Sequence, residues 1–236
     1  MKHRAKQQYI AGLRAGSPVI LGFVPVALAY AIMARQAGFT VAQTCGMSLL
    51  VFAGASEIMT VGMYAQGASL IAMILATFLL NLRHIIMSTC VFNRMESTHP
   101  AARLFSAFFV TDESFAIFTT GKDEHRSVWF FLGLTTVTYS FWNLGTLVGA
   151  VASALLPDIL SASLGIALYA MFIALLLPGL PGNRRLTLLV VLTAVCNTLL
   201  SQIMDSSWAL ISSTLLCAFL GTFFVDPDPA EKEADV

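Results

Sequence analysis

Apolar residues run along this chain in eight blocks, at about 17–34, 41–64, 68–92, 104–120, 128–156, 159–177, 186–204 and 207–225. Short polar stretches such as 93–103, 121–127 and 179–185 separate them. A helix that crosses a bilayer needs roughly 20 apolar residues. The pattern therefore predicts an all-α, polytopic transmembrane helical bundle of six to eight apolar segments. Two blocks are irregular: the second carries Gly54, Glu57 and Gly62, and the fourth carries Asp112 and Glu113.

If all eight blocks cross, Arg94 and Arg103 fall outside, against the tendency of basic loops to stay in the cytoplasm. If the second and fourth blocks enter and return on one side, the first goes out and the third comes back. Arg94, Arg103, Lys122, Arg126, Arg184 and Arg185 are then all cytoplasmic, and only Arg35 lies outside. Both arrangements leave both termini in the cytoplasm, so charge counting does not choose between them. The glycines and charges favour broken or re-entrant helices in the second and fourth blocks.

The segment 1–16 is basic, with Lys2, Arg4, Lys6 and Arg14, and reads as a cytoplasmic N-terminus. Ala27-Leu28-Ala29 has the small-x-small form of a signal-peptide cleavage site. The run is long, contains Pro25 and precedes many further apolar blocks, so it reads as a retained first helix. Residues 17–225 form a single transmembrane domain. The tail, 226–236, holds five acids, one Lys and two prolines and is expected to be disordered. A weak internal repeat sets 21–56 beside 144–179.

Composition sharpens this reading. Of 236 residues, 57% are hydrophobic and 11% charged, with a mean hydropathy of +0.80. A soluble domain carries roughly a quarter charged residues, so lipid bilayer is the expected solvent for most of the outer face. The formal net charge is zero, which gives no long-range pull on nucleic acid. Cys45, Cys90, Cys196 and Cys217 lie in apolar runs without C-x-x-C spacing, and read as packing residues. No tightly bound metal or organic cofactor is indicated.

The candidate chemistry lies in charges placed where lipid is expected. Asn81-Leu82-Arg83-His84 interrupts the third block, Glu57 the second, and Asp112-Glu113 the fourth. Each charge at mid-bilayer costs roughly 2.5–3.5 kcal/mol, so Glu57, Arg83, Asp112 and Glu113 unpaired would cost on the order of 10 kcal/mol. They must pair, face a wet cavity or change protonation. Arg83 is the natural partner of one or more of the three acids. One Arg against three carboxylates leaves at least one acid protonated or wet, which suits a proton-coupled carrier.

Thr77, Asn81, His84 and Ser88 share one helical face, whereas Arg83 stands roughly 200° from Asn81. Either the helix unwinds here, or one face lines a pathway while Arg83 ties down a neighbour. A fixed Arg83–acid pair that only holds segments together competes with a direct part in transport. Weaker stripes, Thr136, Tyr139 and Asn143, and Thr193, Asn197 and Ser201, suit hydrogen bonds between helices. Gly145, Gly149 and Ser153 suit close approach of another helix. Ser56, His84 and Asp112 invite a hydrolase reading, but neither G-x-S-x-G nor H-E-x-x-H occurs, so an enzyme is not expected.

Phe52-Ala53-Gly54-Ala55-Ser56, Asn81-Leu82-Arg83-His84 and Thr111-Asp112-Glu113-Ser114-Phe115-Ala116 resemble, in order and spacing, the signature stretches of the AzlC family. The opening Gly16-Ser17-Pro18 and Gly22-Phe23-Val24-Pro25, and a later stretch at 167–177 with Phe172 and ending at Pro178, fit as well. The resemblance implies the large subunit of a branched-chain amino-acid exporter in the bacterial cytoplasmic (inner) membrane. It also implies a small AzlD-like membrane subunit and efflux of valine, leucine, isoleucine or methionine driven by the proton gradient. The family's Ala-Gly-Ala-Ser stretch is usually followed by Gln, where this chain has Glu57. On this picture Gly54, Ser56, Glu57, Asn81, Arg83 and His84 line the pathway, and Glu57, Arg83, Asp112 and Glu113 serve proton coupling or ion pairing. Ile58, Met59 and Phe172 are placed to receive an apolar side chain. A channel or carrier for another small solute and a non-transporting scaffold subunit are the competing readings.

Overall fold

The computed structural model describes residues 2–96, 100–121, 126–153, 173, 180 and 184–224. The sixth apolar block, the stretch 167–178 with Phe172, Lys122, the tail and most of the second half of the supposed repeat lie outside them. The described residues are helical without strands, in two compact units: residues 1–67 with 80–169, and 68–79 with 170–236.

In the first unit, α1 (Lys2–Gly16) passes through a 3-10 turn at Ser17–Val19, with Pro18 where its missing N–H costs nothing, into α2 (Ile20–Gln36). Then come α3 (Val41–Val51), α4 (Gly54–Ala65), α6 (Arg83–Arg94), α7 (Pro100–Ala107), α8 (Asp112–Thr120) and α9 (Val128–Ala152). α5 (Leu70–Asn81) lies mainly in the second unit, with α10 (Arg184–Leu200) and α11 (Ser206–Phe224). The helix boundaries follow local rules. Gly38, at φ 93°, closes α2, with Gly38 N–H on Arg35 O at 3.1 Å and Phe39 N–H on Ala34 O at 3.0 Å. Thr40 and Gln43 form a capping box at the start of α3, and Thr111 and Ser114 do the same for α8.

Hydropathy alone starts the first helix at residue 17; the structure starts it at Lys2. Contact between backbones explains the difference. A Cβ on Gly12 would stand 2.0 Å from Phe130 O, and one on Gly133 would stand 2.1 Å from Tyr9 O. Further along, Gly145 lies against Val24 and Ala27, and Gly149 against Leu28 and Ala31. The numbers rise together, so α1–α2 runs parallel to α9. Gly145 and Gly149 thus serve the close approach their spacing predicts. The second stripe on α9 also reaches across: Tyr9 Oη donates to Thr136 Oγ1 at 3.1 Å, and Tyr139 Oη to Leu49 O at 2.9 Å.

This parallel pair fixes two ends. At the α1 start, Arg4 pairs with Glu96 at 3.8 Å, Glu96 N–H donates to Arg126 O at 2.8 Å, and Arg94 donates to Gly121 O. The starts of α1 and α9 and the ends of α6 and α8 therefore share that end. The pair α7–α8 leaves it and returns to it. At the other end, beyond α2, the rings of Phe39 and Tyr64 meet at 5.0 Å, so α3–α4 leaves and returns there. Two broken helical hairpins thus approach from opposite ends. They occupy the second and fourth apolar blocks. The arrangement keeps Arg94 and Arg126 at the α1 end, as the return model requires. Beneath the α7–α8 hairpin, Met87, Val91, Phe118, Phe130, Phe131 and Leu134 form a buried core.

In the second unit, a Cβ on Gly221 would stand 2.8 Å from the Leu189 side chain, and Ser213 Oγ donates to Asn197 Oδ1 at 3.3 Å. α10 and α11 are therefore antiparallel. Of the Thr193, Asn197 and Ser201 stripe, Asn197 bridges the helices, while the other two hydroxyls bond to their own helix. Leu188, Leu199, Phe219 and Phe223 are exposed, as lipid-facing residues are. By length and composition Arg4–Gln36 and Leu70–Arg94 can each cross a membrane, both with a hydropathy of 2.0.

Candidate functional site

The two hairpin tips meet. Phe52, at the break between α3 and α4, has φ 45°, a left-handed conformation that costs a non-glycine residue roughly 1–2 kcal/mol. Ring contacts hold it there: Tyr139 at 4.9 Å, Phe108 at 6.4 Å and Phe109 at 6.5 Å. Phe108 and Phe109 belong to the other tip, between α7 and α8, and Phe109 also contacts Tyr139 at 5.3 Å. Each aromatic pair contributes about 0.5–1.5 kcal/mol, so the rings together outweigh the backbone cost.

Both half-helices that follow the breaks begin at this meeting point. α4 has no side-chain N-cap; instead Glu57 Oε1 accepts from the Ala53 N–H at 3.0 Å. Ser56 Oγ donates to Ala53 O at 2.8 Å. At the start of α8, Asp112 and Glu113 occupy the first turn, where the exposed N–H groups of the helix favour negative charge.

The motif in the third block fastens these two starts. Leu82, between α5 and α6, keeps helical angles of φ −54° and ψ −32°, so the helix does not unwind. Asn81 and Arg83 consequently face different neighbours, the second of the two alternatives the spacing allows. Asn81 Nδ2 donates to Ser56 Oγ at 3.2 Å. Arg83 Nη1 pairs with Asp112 Oδ2 at 3.1 Å. His84 Nδ1 lies 3.0 Å from Val110 O, and because a carbonyl only accepts, Nδ1 carries the hydrogen. Thr77, on the same predicted stripe, belongs to the second unit.

The three acids separate. Asp112 takes Arg83; both side chains are more than a third exposed, so the pair contributes at most about 1 kcal/mol to stability. Glu113 sits beside Asp112, partly buried, without a salt bridge to Arg83. Glu57 is fully buried and faces away from Arg83, toward Trp142 and Tyr30. Asn81 Oδ1 and Arg83 Nε are buried without hydrogen-bond partners, donor and acceptor capacity left over at the tips. Ile58 is buried and Met59 half-buried.

Gly54 is explained by Trp142: a Cβ there would stand 2.5 Å from Trp142 Cη2. The Trp142 ring stacks on Tyr30 at 6.3 Å and meets Phe23 edge-on at 5.5 Å. The sequence reading did not single out Trp142, Tyr30, Phe108 or Phe109. One signal was available for Trp142, since Thr135, Thr138, Trp142 and Thr146 recur at helical spacing and are all buried on one face of α9.

Broken hairpins that carry charges and half-helix starts to a common point, flanked by long apolar helices, define a helical membrane protein built around an internal polar site. The sequence comparisons specify which: residues 18–156 match the AzlC protein family, and the chain belongs to it. An uncharacterized membrane protein of Archaeoglobus fulgidus is 37% identical over 176 residues, covering 73% of this chain and 76% of that protein. The inner membrane protein YgaZ of Escherichia coli is 28% identical over 185 residues, 75% of this chain and 76% of YgaZ. The branched-chain amino acid transport protein AzlC of Bacillus subtilis is 24% identical over 136 residues, 57% of this chain and 53% of that protein. No solved structure matches the chain.

Proposed function

We propose that this AzlC-family membrane protein exports branched-chain and other hydrophobic amino acids, such as valine, leucine, isoleucine or methionine, through the polar site where the hairpin tips meet. It is a transporter and not an enzyme. It works in the bacterial inner membrane with both termini cytoplasmic, coupled to the proton gradient. It acts as the large subunit beside a small AzlD-like membrane protein.

The observation that carries this reading is the Arg83–Asp112 pair, half-exposed where α4 and α8 begin. A zwitterionic amino acid needs donors for its carboxylate and acceptors for its ammonium. Arg83 and the N–H groups at the α4 start supply the first. Asp112, with the carbonyl groups at the tips, supplies the second. An Arg–Asp pair that trades its internal bond for the two ends of the substrate exchanges one set of charge-assisted hydrogen bonds for another.

The test is uptake of labelled leucine into everted vesicles, with and without a proton gradient, with the small subunit co-expressed. Gradient-dependent uptake in wild type that disappears in Arg83→Ala and Asp112→Asn, both inserted normally, supports the reading. Wild-type rates in both variants reject it. Absence of leucine, valine and methionine uptake in wild type points instead to a carrier for another small solute, a reading that the additional acid Glu57 favours.

A further inference from the structure

We propose that Glu57 is the proton-carrying group of the transporter, at a site separate from the Arg83–Asp112 pair, and that Trp142 is its positioning residue. This rests on the proton-coupled export proposed above and specifies where the proton rides.

Glu57 is 0% exposed. Its Oε1 is committed to the Ala53 N–H. Its Oε2 and the indole Nε1 of the adjacent Trp142 are both buried and neither makes a hydrogen bond of ordinary geometry. No cation within salt-bridge distance of Glu57 occurs among the described residues. The titratable groups facing it are Tyr30 from α2 and, beyond Tyr30, Cys45 of α3; α9 contributes Trp142, which carries no charge. The Tyr30 hydroxyl is spent on Thr44 O at 3.1 Å and is not a donor for Glu57. A bare carboxylate so enclosed pays its desolvation with no opposite charge to offset it, whereas a carboxyl that holds its proton does not.

The surroundings also provide a release. Once Glu57 loses its proton, the adjacent Trp142 N–H is the donor that can close on Oε2. The same Trp142 ring lies on Gly54, the first residue of α4, and the hairpin bends two residues earlier at Phe52. Movement of the tip away from α9 therefore lifts the seal and admits water to the carboxyl. In one cycle Glu57 takes a proton from water on the external side and returns it to water on the cytoplasmic side, while one amino acid leaves. The carboxyl O–H bond is the bond made and broken, and no oxidant or reductant is needed.

Glu57→Gln keeps the acceptor for Ala53 N–H but holds no exchangeable carboxyl proton. In everted vesicles this variant is expected to lose gradient-driven accumulation of leucine, down to the level without a gradient. Trp142→Phe keeps a ring on Gly54 and removes the N–H, and is expected to shift the pH midpoint of uptake upward while gradient-driven accumulation remains. Infrared difference spectra of the full-length protein, titrated with pH, should show a protonated-carboxyl band that is missing in Glu57→Gln. Gradient-driven accumulation retained in Glu57→Gln, or a titrating band unchanged by the substitution, overturns the proposal. Should Glu57→Gln fail to reach the membrane, the wild-type and Trp142→Phe titrations decide: a band that does not move on loss of the N–H rejects the assignment. If wild type transports no amino acid at all, the export reading fails, and the infrared band still decides for Glu57.

Discussion

The parallel pair of α1–α2 and α9 and the two broken hairpins solve opposite problems with the same residue. In the pair, Gly12 and Gly133 bring backbone onto backbone along the lengths of α1 and α9. At the hairpin tips, Gly54 makes room for a ring, the helices stop short, and the neighbouring Arg83 Nε and Asn81 Oδ1 are buried without hydrogen-bond partners. Close packing of complete helices makes a rigid frame. Incomplete helices leave bonding capacity for something that comes and goes. The difference teaches where to look for stability and where to look for function in one small unit.

Five substitutions at four positions probe that contrast, and the largest effect belongs to the frame. Gly133→Leu places a side chain where only Tyr9 and Leu13 backbone atoms stand, with no flexible neighbour to give way. Overpacking typically costs about 1–3 kcal/mol, and a backbone obstacle puts this case at or beyond the upper end. Loss of monodisperse protein in size-exclusion chromatography after detergent extraction is expected, and normal yield would refute the parallel packing. Next comes Arg83→Ala, which should abolish transport yet lower thermal stability by no more than about 1 kcal/mol. A large fall in melting temperature with transport intact would make Arg83 part of the frame.

A smaller effect separates two truncations of Phe52. Both Phe52→Ala and Phe52→Gly lose the ring contacts, but only alanine keeps a Cβ at positive φ. Glycine should therefore be the more stable variant by about 1 kcal/mol in thermal melts, the reverse of the order in an ordinary helix. The smallest effect is at Gly62, inside α4, where a Cβ meets nothing within 4 Å. Gly62→Ala should raise stability by about 0.5–1 kcal/mol with transport unchanged. Lost transport would show that α4 must bend there.

Much of this organisation could be read in the chain. The helical class followed from long apolar blocks, the breaks from glycines and acids set inside two of them, and the separate faces of Asn81 and Arg83 from their spacing. The choice of Asp112 over Glu57 and Glu113 as the partner of Arg83 was not legible. It depends on α8 starting beside α6 while Glu57 turns toward α9, and no periodicity within one helix reports the orientation of another. The early start of the first helix escaped for a related reason: hydropathy sees apolar side chains, whereas α1 is held through glycines that have none.

Sequence alone determined that the chain is helical, that it needs an apolar solvent, that its second and fourth blocks are interrupted, and that a small set of charges requires partners. These are local consequences of solvation cost and backbone geometry, written residue by residue. Tertiary structure decided that the two interruptions come from opposite ends and meet, that Phe52 is held in its strained turn by rings from the other hairpin, and that Trp142 seals Glu57. Those outcomes depend on contacts between residues 90 or more positions apart, as between Leu49 and Tyr139 or Tyr30 and Trp142, and such contacts exist only once helices have chosen their neighbours.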